Sequence, residues 1–133
     1  MKSFRGKQLK VGISKKAFDS ILFYALNIHP REAILLLRGS VGRGYITVKE
    51  VLIPPLATHG RGFSIIPLAH LPIDFSIVGT VHSHPSGVLN PSVEDLNNIY
   101  GWILMIVAHP YKGLEDVAVY SKDGSKLQLT IVG

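Results

Sequence analysis

Ile73-Asp74-Phe75-Ser76-Ile77-Val78-Gly79-Thr80-Val81-His82-Ser83-His84-Pro85 is the stretch that decides how this chain folds. Residues 73–81 are rich in β-branched side chains, which favours a strand, and that strand runs directly into two histidines separated by one residue. Side chains two apart on a strand share a face, with backbones about 6.5–7 Å apart, so both imidazoles can turn toward one ion. Pro85 biases His84 toward extended backbone and breaks the strand, placing the pair at a strand end where a cleft can open. Taken alone, the pair is explained more plainly as structural or surface histidines.

Working outward, a loop over residues 86–91 leads to Ser92, which precedes a short helix predicted to end near Gly101. Asp95 lies eleven residues after His84 and falls in the first turn of that helix. Two imidazoles and one carboxylate form a three-ligand set that leaves a fourth tetrahedral position for water, the pattern of a catalytic zinc. Ser92-Val93-Glu94-Asp95 also reads as a capping box, and the two roles are compatible. A zinc-activated water needs a base. Glu94 is adjacent to the proposed ligand, but consecutive helical residues do not share a face, so solvent is its expected direction. Glu32 opens the apolar run Ala33–Leu37; taken alone, an ordinary strand-end charge is its plainer explanation, and spacing does not settle the choice.

Upstream, Ser14 is a helix cap for an apolar stripe of Phe18, Ile21, Leu22, Ala25 and Ile28, stopped at His29-Pro30. Ala33–Leu37 reads as a strand buried on both faces and ended by Arg38-Gly39, with a turn over residues 40–44. Tyr45–Ile53 is a second strand closed by Pro54-Pro55, and 60–66 a short extended piece. After the helix, Trp102–Ala108, Val117–Ser121 and Leu127–Val132 read as strands, the last two joined by a Lys122–Ser125 hairpin turn. Helix, strands, helix, strands, without βαβ alternation or a repeat, predicts an α+β fold with helices against a sheet.

At 133 residues the chain fits a single domain, residues 1–133, with a basic N-terminal segment over 1–10. Hydrophobic residues at 47% against 17% charged exclude a disordered chain. The absence of cysteine excludes disulfides, thiolate zinc, iron–sulfur clusters and the Cys ligands of a zinc nucleobase deaminase. The longest apolar run, Trp102–Ala108, is far below the roughly 20 residues that cross a bilayer, and no apolar signal segment is found, so a cytoplasmic location and no membrane partner are expected. A net charge of +5 favours acidic partners. The basic residues are scattered without interleaved aromatics, which argues against nucleic acid. A homo-oligomer is left open.

The residues resemble the JAMM (MPN-plus) zinc metalloproteases and deubiquitinases, in the stand-alone form of archaea and bacteria. The family pattern of an upstream Glu, His-x-His-Pro, six residues, Ser, two residues and Asp stands here as Glu32, His82-Ser83-His84-Pro85, residues 86–91, Ser92, Val93-Glu94 and Asp95. The likeness runs over roughly residues 11–132. It implies a mixed sheet flanked by helices, in a cytidine-deaminase-like fold. It also implies one Zn2+ per chain on His82, His84 and Asp95, with Glu32 as general base and Ser92 supporting the oxyanion. Leu35 stands where the family often has Gly, a difference of local packing, while Gly39 matches the later glycine.

The implied activity is a zinc-dependent isopeptidase acting after the C-terminal glycine of a ubiquitin-like or sulfur-carrier modifier. The rivals are a non-catalytic MPN scaffold, which typically lacks the ligands kept here, and a RadC-type DNA-associated protein, which usually carries an additional N-terminal helical segment. A glycine-ended tail offers few side chains to grip, so main-chain pairing along a strand is its natural means of alignment. Gly60, Arg61, Gly62, Phe63, Ser64 and Ile65, bounded by Pro55 and Pro67, are the expected edge strand, with Arg61 facing an acidic modifier; a surface loop is the alternative. His29 and His109 are expected at turns, and His59 and His70, which flank the segment leading to the site, at the surface, with the lining of the groove as the alternative.

Overall fold

The computed structural model describes residues 9–54, 58–60, 63–65 and 74–133. The chain order is β1 (Lys10–Ser14), α1 (Lys15–Ile28), β2 (Ile34–Gly42), β3 (Tyr45–Leu52), β4 (Thr58–Gly60), β5 (Phe63–Ile65), β6 (Ile77–His84), α2 (Val93–Asn97), β7 (Ile103–Ala108), β8 (Val117–Ser121) and β9 (Lys126–Val132). Seven strands close into a mixed barrel in the order β1-β3-β2-β6-β7-β8-β9, with β1 running parallel to both β3 and β9. This is the expected α+β architecture, closed on itself rather than left as an open sheet.

Helix α1 forms where the sequence places it. The Ser14 hydroxyl accepts the Ala17 N–H at 3.1 Å, and Ala17, Phe18, Ile21, Leu22 and Ala25 are buried along one stripe. That stripe packs into the main core with Val11 and Ile13 of β1, Leu35 and Leu37 of β2, Val81 of β6, and Ile103, Met105 and Val107 of β7. The alternate residues of β7, Leu104 and Ile106, face the other way. With Ala118 and Tyr120 they form a second cluster, covered by Leu89, Leu96 and Ile99. Each face of β7 is therefore buried, which accounts for its unbroken apolar sequence.

This alternation positions the histidines. In the β6–β7 register Thr80, His82 and His84 lie beside Leu104, Ile106 and Ala108, while Val81 and Ser83 lie beside Met105 and Val107. The two imidazoles thus share the face covered by the 86–101 segment and α2, and Ser83 is turned into the opposite face. Antiparallel pairing sets Ile34 of β2 against His82. Glu32, two residues earlier, is thereby carried to the His end of β6.

Several expectations are corrected. The chain enters α1 from β1, an unpredicted strand. β2 does not end at Arg38-Gly39 but continues to Gly42 through a bulge there, leaving the turn to Arg43 and Gly44. β6 begins at Ile77, later than the expected start at Ile73, and ends with both histidines before Pro85, as expected; residues 71–73 lie outside the described residues. α2 ends at Asn97 rather than near Gly101, because Gly101, at φ +98°, takes the chain over β6 so closely that a Cβ would lie 2.7 Å from the Val78 carbonyl oxygen. Residues 60–66 are not one extended piece: β4 and β5 pair antiparallel with each other, Gly60 opposite Phe63, as a separate two-stranded sheet. Arg61, Gly62, Ile66 and His70 lie outside the described residues. Among the described residues no helix is long and apolar enough to cross a membrane.

The bulge makes a stability prediction. A Cβ on Gly39 would stand 1.7 Å from the Thr47 carbonyl oxygen, a backbone atom that cannot swing away. Gly39→Ala is expected to cost about 1–3 kcal/mol, the usual range for overpacking. A lower denaturation midpoint at unchanged m-value would show it; an unchanged midpoint would mean that β3 yields without cost.

Candidate active site

His82, His84 and Asp95 meet at the C-terminal end of β6. His82 Nδ1 is 3.1 Å from Asp95 Oδ1 and His84 Nε2 is 3.1 Å from Asp95 Oδ2, with the three side chains exposing only 9%, 14% and 13% of their surface in the order His82, His84, Asp95. Water is thus largely excluded from the junction.

Local structure holds each group. His84 Nδ1 donates to the Val88 carbonyl at 2.7 Å, which turns Nε2 inward. The Gly87 N–H in turn donates to the His84 carbonyl at 3.1 Å, with Gly87 at φ +87°, a conformation glycine takes without a side-chain penalty. Asp95 is set by the cap of α2: its N–H donates to Ser92 Oγ at 2.9 Å, and the Ser92 N–H donates to Asp95 Oδ2 at 2.9 Å. Glu94 is exposed, as expected.

Burial alone would raise the Asp95 carboxyl, but hydrogen bonds from His82, His84 and the Ser92 backbone hold it well below the usual carboxylate range. Burial likewise disfavours a charged His84, and the hydrogen bonds to Asp95 and the Val88 carbonyl override it and raise the imidazole. Glu32 is half-buried. Burial pushes its carboxyl up against the opposing charge of His84, with Asp95 adding to the rise. The β2–β6 register, with Ile34 opposite His82, sets Glu32 at the same end of β6 as the histidines.

Among the described residues no three His, Asp or Glu side chains are gathered around one point as a ready metal cage. The donor set nevertheless suits zinc. Ligands about 2.0–2.1 Å from a tetrahedral ion stand about 3.3 Å apart, close to the N···O separations here. A ring N–H given to a main-chain carbonyl and a carboxylate held by a backbone N–H are the outer supports that zinc ligands use.

Of the other predicted residues, Gly60, Phe63, Ser64 and Ile65 lie on the β4–β5 hairpin, and Arg61 and Gly62 lie outside the described residues. His29 and His109 lie in turns, as expected, and their rings stack at 4.2 Å. Val88 was not foreseen, since it acts through a carbonyl; the Ser86-Gly87 turn after Pro85 is the signal that could have located it.

A barrel that sets two strand-end histidines against a helix-capping aspartate defines a metalloprotease-like hydrolase of the JAMM/MPN class. Residues 14–120 match the family of prokaryotic homologs of the JAB domain, a span that includes Glu32, His82, His84, Ser92 and Asp95. The chain belongs to that family. It is 34% identical to a probable metalloprotease of Haloferax volcanii, over 99% of this chain and 85% of that protein. It is also similar to a solved JAB1/MPN domain protein from Archaeoglobus fulgidus, with 30% identity, a TM-score of 0.68, and 94% of this chain and 100% of that one covered. A structure described as a JAMM metalloprotease-like zinc site in the proteasome and signalosome aligns at 27% identity and a TM-score of 0.64, covering 96% of this chain and 100% of that one.

Proposed function

We propose that this protein is a zinc-dependent metallo-isopeptidase that hydrolyses the bond after the C-terminal glycine of a ubiquitin-like or sulfur-carrier modifier. The observation that carries the proposal is the meeting of His82, His84 and Asp95 at 3.1 Å, with Glu32 at the same strand end. His82, His84 and Asp95 would hold the ion, His84 through the Nε2 that its Val88 hydrogen bond turns inward. When bound, zinc lowers the pKa of water toward about 7 and polarises the scissile carbonyl. Glu32 takes a proton from the attacking water and passes it to the leaving amine. The modifier tail pairs with the main chain of Phe63–Ile65 in β5, and the net charge of +5 suits an acidic modifier.

Ser92 serves twice. Its oxygen accepts the Asp95 N–H, and its own hydroxyl hydrogen is left to donate to the developing oxyanion. Ser92→Ala is expected to keep zinc and lose about 10²–10³ in turnover, with about 0.5–2 kcal/mol of stability lost from the cap. If stability falls and turnover does not, Ser92 is a cap alone.

The decisive experiment incubates the zinc-loaded protein with conjugates of the ubiquitin-like and sulfur-carrier proteins from its own genome and reads release of the glycine carboxylate by mass. Cleavage abolished by a chelator and restored by zinc is expected. One zinc per chain with every conjugate intact would favour the scaffold reading.

A further inference from the structure

β6 ends at His84, and the last residue of a strand is where a ladder most readily frays. On the β2 side, the N–H of Ser83 donates to the Ala33 carbonyl at 3.0 Å. On the β7 side, the N–H of His109 donates to the His84 carbonyl at 3.2 Å. That bond is the last rung of the β6–β7 pairing, in which His84 stands beside Ala108. Its donor lies just past the end of β7, and Pro110 has no N–H with which to extend the ladder.

The side chain of His109 supplies an anchor that the ladder does not. β6 runs between β2 and β7, and the start of β2 and the end of β7 both lie at its His84 end. His29, from the segment that enters β2, and His109, from the exit of β7, meet there with ring centroids 4.2 Å apart and planes 22° apart. Tyr111 packs against the pair. Its ring meets those of His29 and His109 edge-on at 5.7 and 5.6 Å, and its OH is 3.1 Å from His29 Nδ1. Tyr111 is 4% exposed, and its backbone sits at φ +60°, a left-handed conformation that is an outlier for a bulky side chain and persists only where the surroundings enforce it. His109 itself is exposed, so what fixes its ring is contact with these two rings rather than enclosure in the core.

We propose that His29 and His109 are positioning residues: their stack braces the end of β6 from both neighbouring strands, holds the His109 N–H on the His84 carbonyl, and so fixes where the His84 imidazole stands. The inference rests on the reading of His84 as a metal ligand. Neither ring is itself a ligand. A ligand already held in place loses less freedom when the ion binds, so the stack acts on zinc affinity.

His29→Ala deletes the stack and leaves the residue's own N–H bond to the Ala25 carbonyl in place. It is expected to speed hydrogen exchange at the His109 amide of the zinc-free protein about three- to tenfold, and to weaken zinc binding, read by competition with a chromophoric chelator, by about the same factor. His29→Phe keeps a flat ring against His109 and loses the nitrogen that meets Tyr111; it should restore both. His109→Ala should weaken zinc as His29→Ala does, and the double variant should bind zinc no more weakly than either single variant, because both delete one contact. A pair supporting only the fold would lower the unfolding midpoint and leave chelator competition in the folded protein unchanged. Parental exchange at the His109 amide or parental zinc affinity in His29→Ala, a His29→Phe variant no better than His29→Ala, or losses that multiply in the double variant would each overturn the brace. A parent protein that takes up no zinc overturns the ligand reading instead, and the exchange rate at His109, measured without the ion, still decides whether the stack holds the end of β6.

Discussion

Glu32→Gln is expected to bind zinc as the parent does and to lose about 10²–10⁴ in kcat, the usual contribution of a general base. The substitution keeps the size and planarity of the side chain and removes its capacity to accept a proton. Glu32 stands before β2, and His82 is paired with Ile34 two residues further on, so an amide in its place leaves the β2–β6 ladder untouched. The metal should therefore be indifferent to the change while turnover is not. Single-turnover cleavage of a modifier conjugate, compared with zinc content by mass spectrometry, separates the two. Retained turnover would leave Glu94 as the remaining nearby carboxylate, but that side chain is exposed and in a poor position to serve. Zinc lost together with activity would instead make Glu32 a ligand.

How far this site could be read from the chain depends on the range of each interaction. His82 and His84 were legible because a period of two survives any detail of the fold. Ser92 and Asp95 were legible as a cap because Ser-x-x-acidic is a local code, and in the structure the same hydrogen bonds that start α2 orient the carboxylate toward the imidazoles. Glu32 was not readable from spacing: fifty residues separate it from His82, and only the β2–β6 pairing brings them together. The resemblance to a family supplied that residue where local pattern left two candidates.

The misses in the fold have the same origin. Val11, Gly12 and Ile13 of β1 are all buried, so the strand shows no alternation, and its neighbour Ser14 draws the eye as a cap. Its partners, β3 and β9, are both parallel and far along the chain, and their pairing closes the sheet into a barrel. Arg38-Gly39 resembled a strand end because glycine usually weakens strands; here it admits the Thr47 carbonyl and lets β2 continue. Nothing in Pro110-Tyr111-Lys112 announces a left-handed tyrosine, which is a product of the tertiary enclosure.

Loss of the ion should have the largest effect of all. The protein should bind one zinc per chain, and His84→Ala should abolish stoichiometric binding together with all conjugate cleavage. The structure also shows why the fold should survive. His84 lies at the last residue of β6 on the side away from the principal core, and the cluster built from α1, β1, β2, β3 and β7 does not include it. What His84→Ala removes locally is one of the hydrogen bonds to Asp95 and the tie to Val88; the bonds from His82 and from the Ser92 N–H still hold the carboxylate. Far-ultraviolet circular dichroism should match the parent, and unfolding should remain cooperative. Asp95→Asn should lose zinc as well, while keeping the shape that the α2 cap requires. If purified parent protein, never exposed to chelator, takes up no zinc when the ion is supplied, the ligand assignment fails and the hydrolytic reading fails with it. If His84→Ala unfolds, Asp95→Asn remains the test, because its effect is on the donor atoms rather than on the strand.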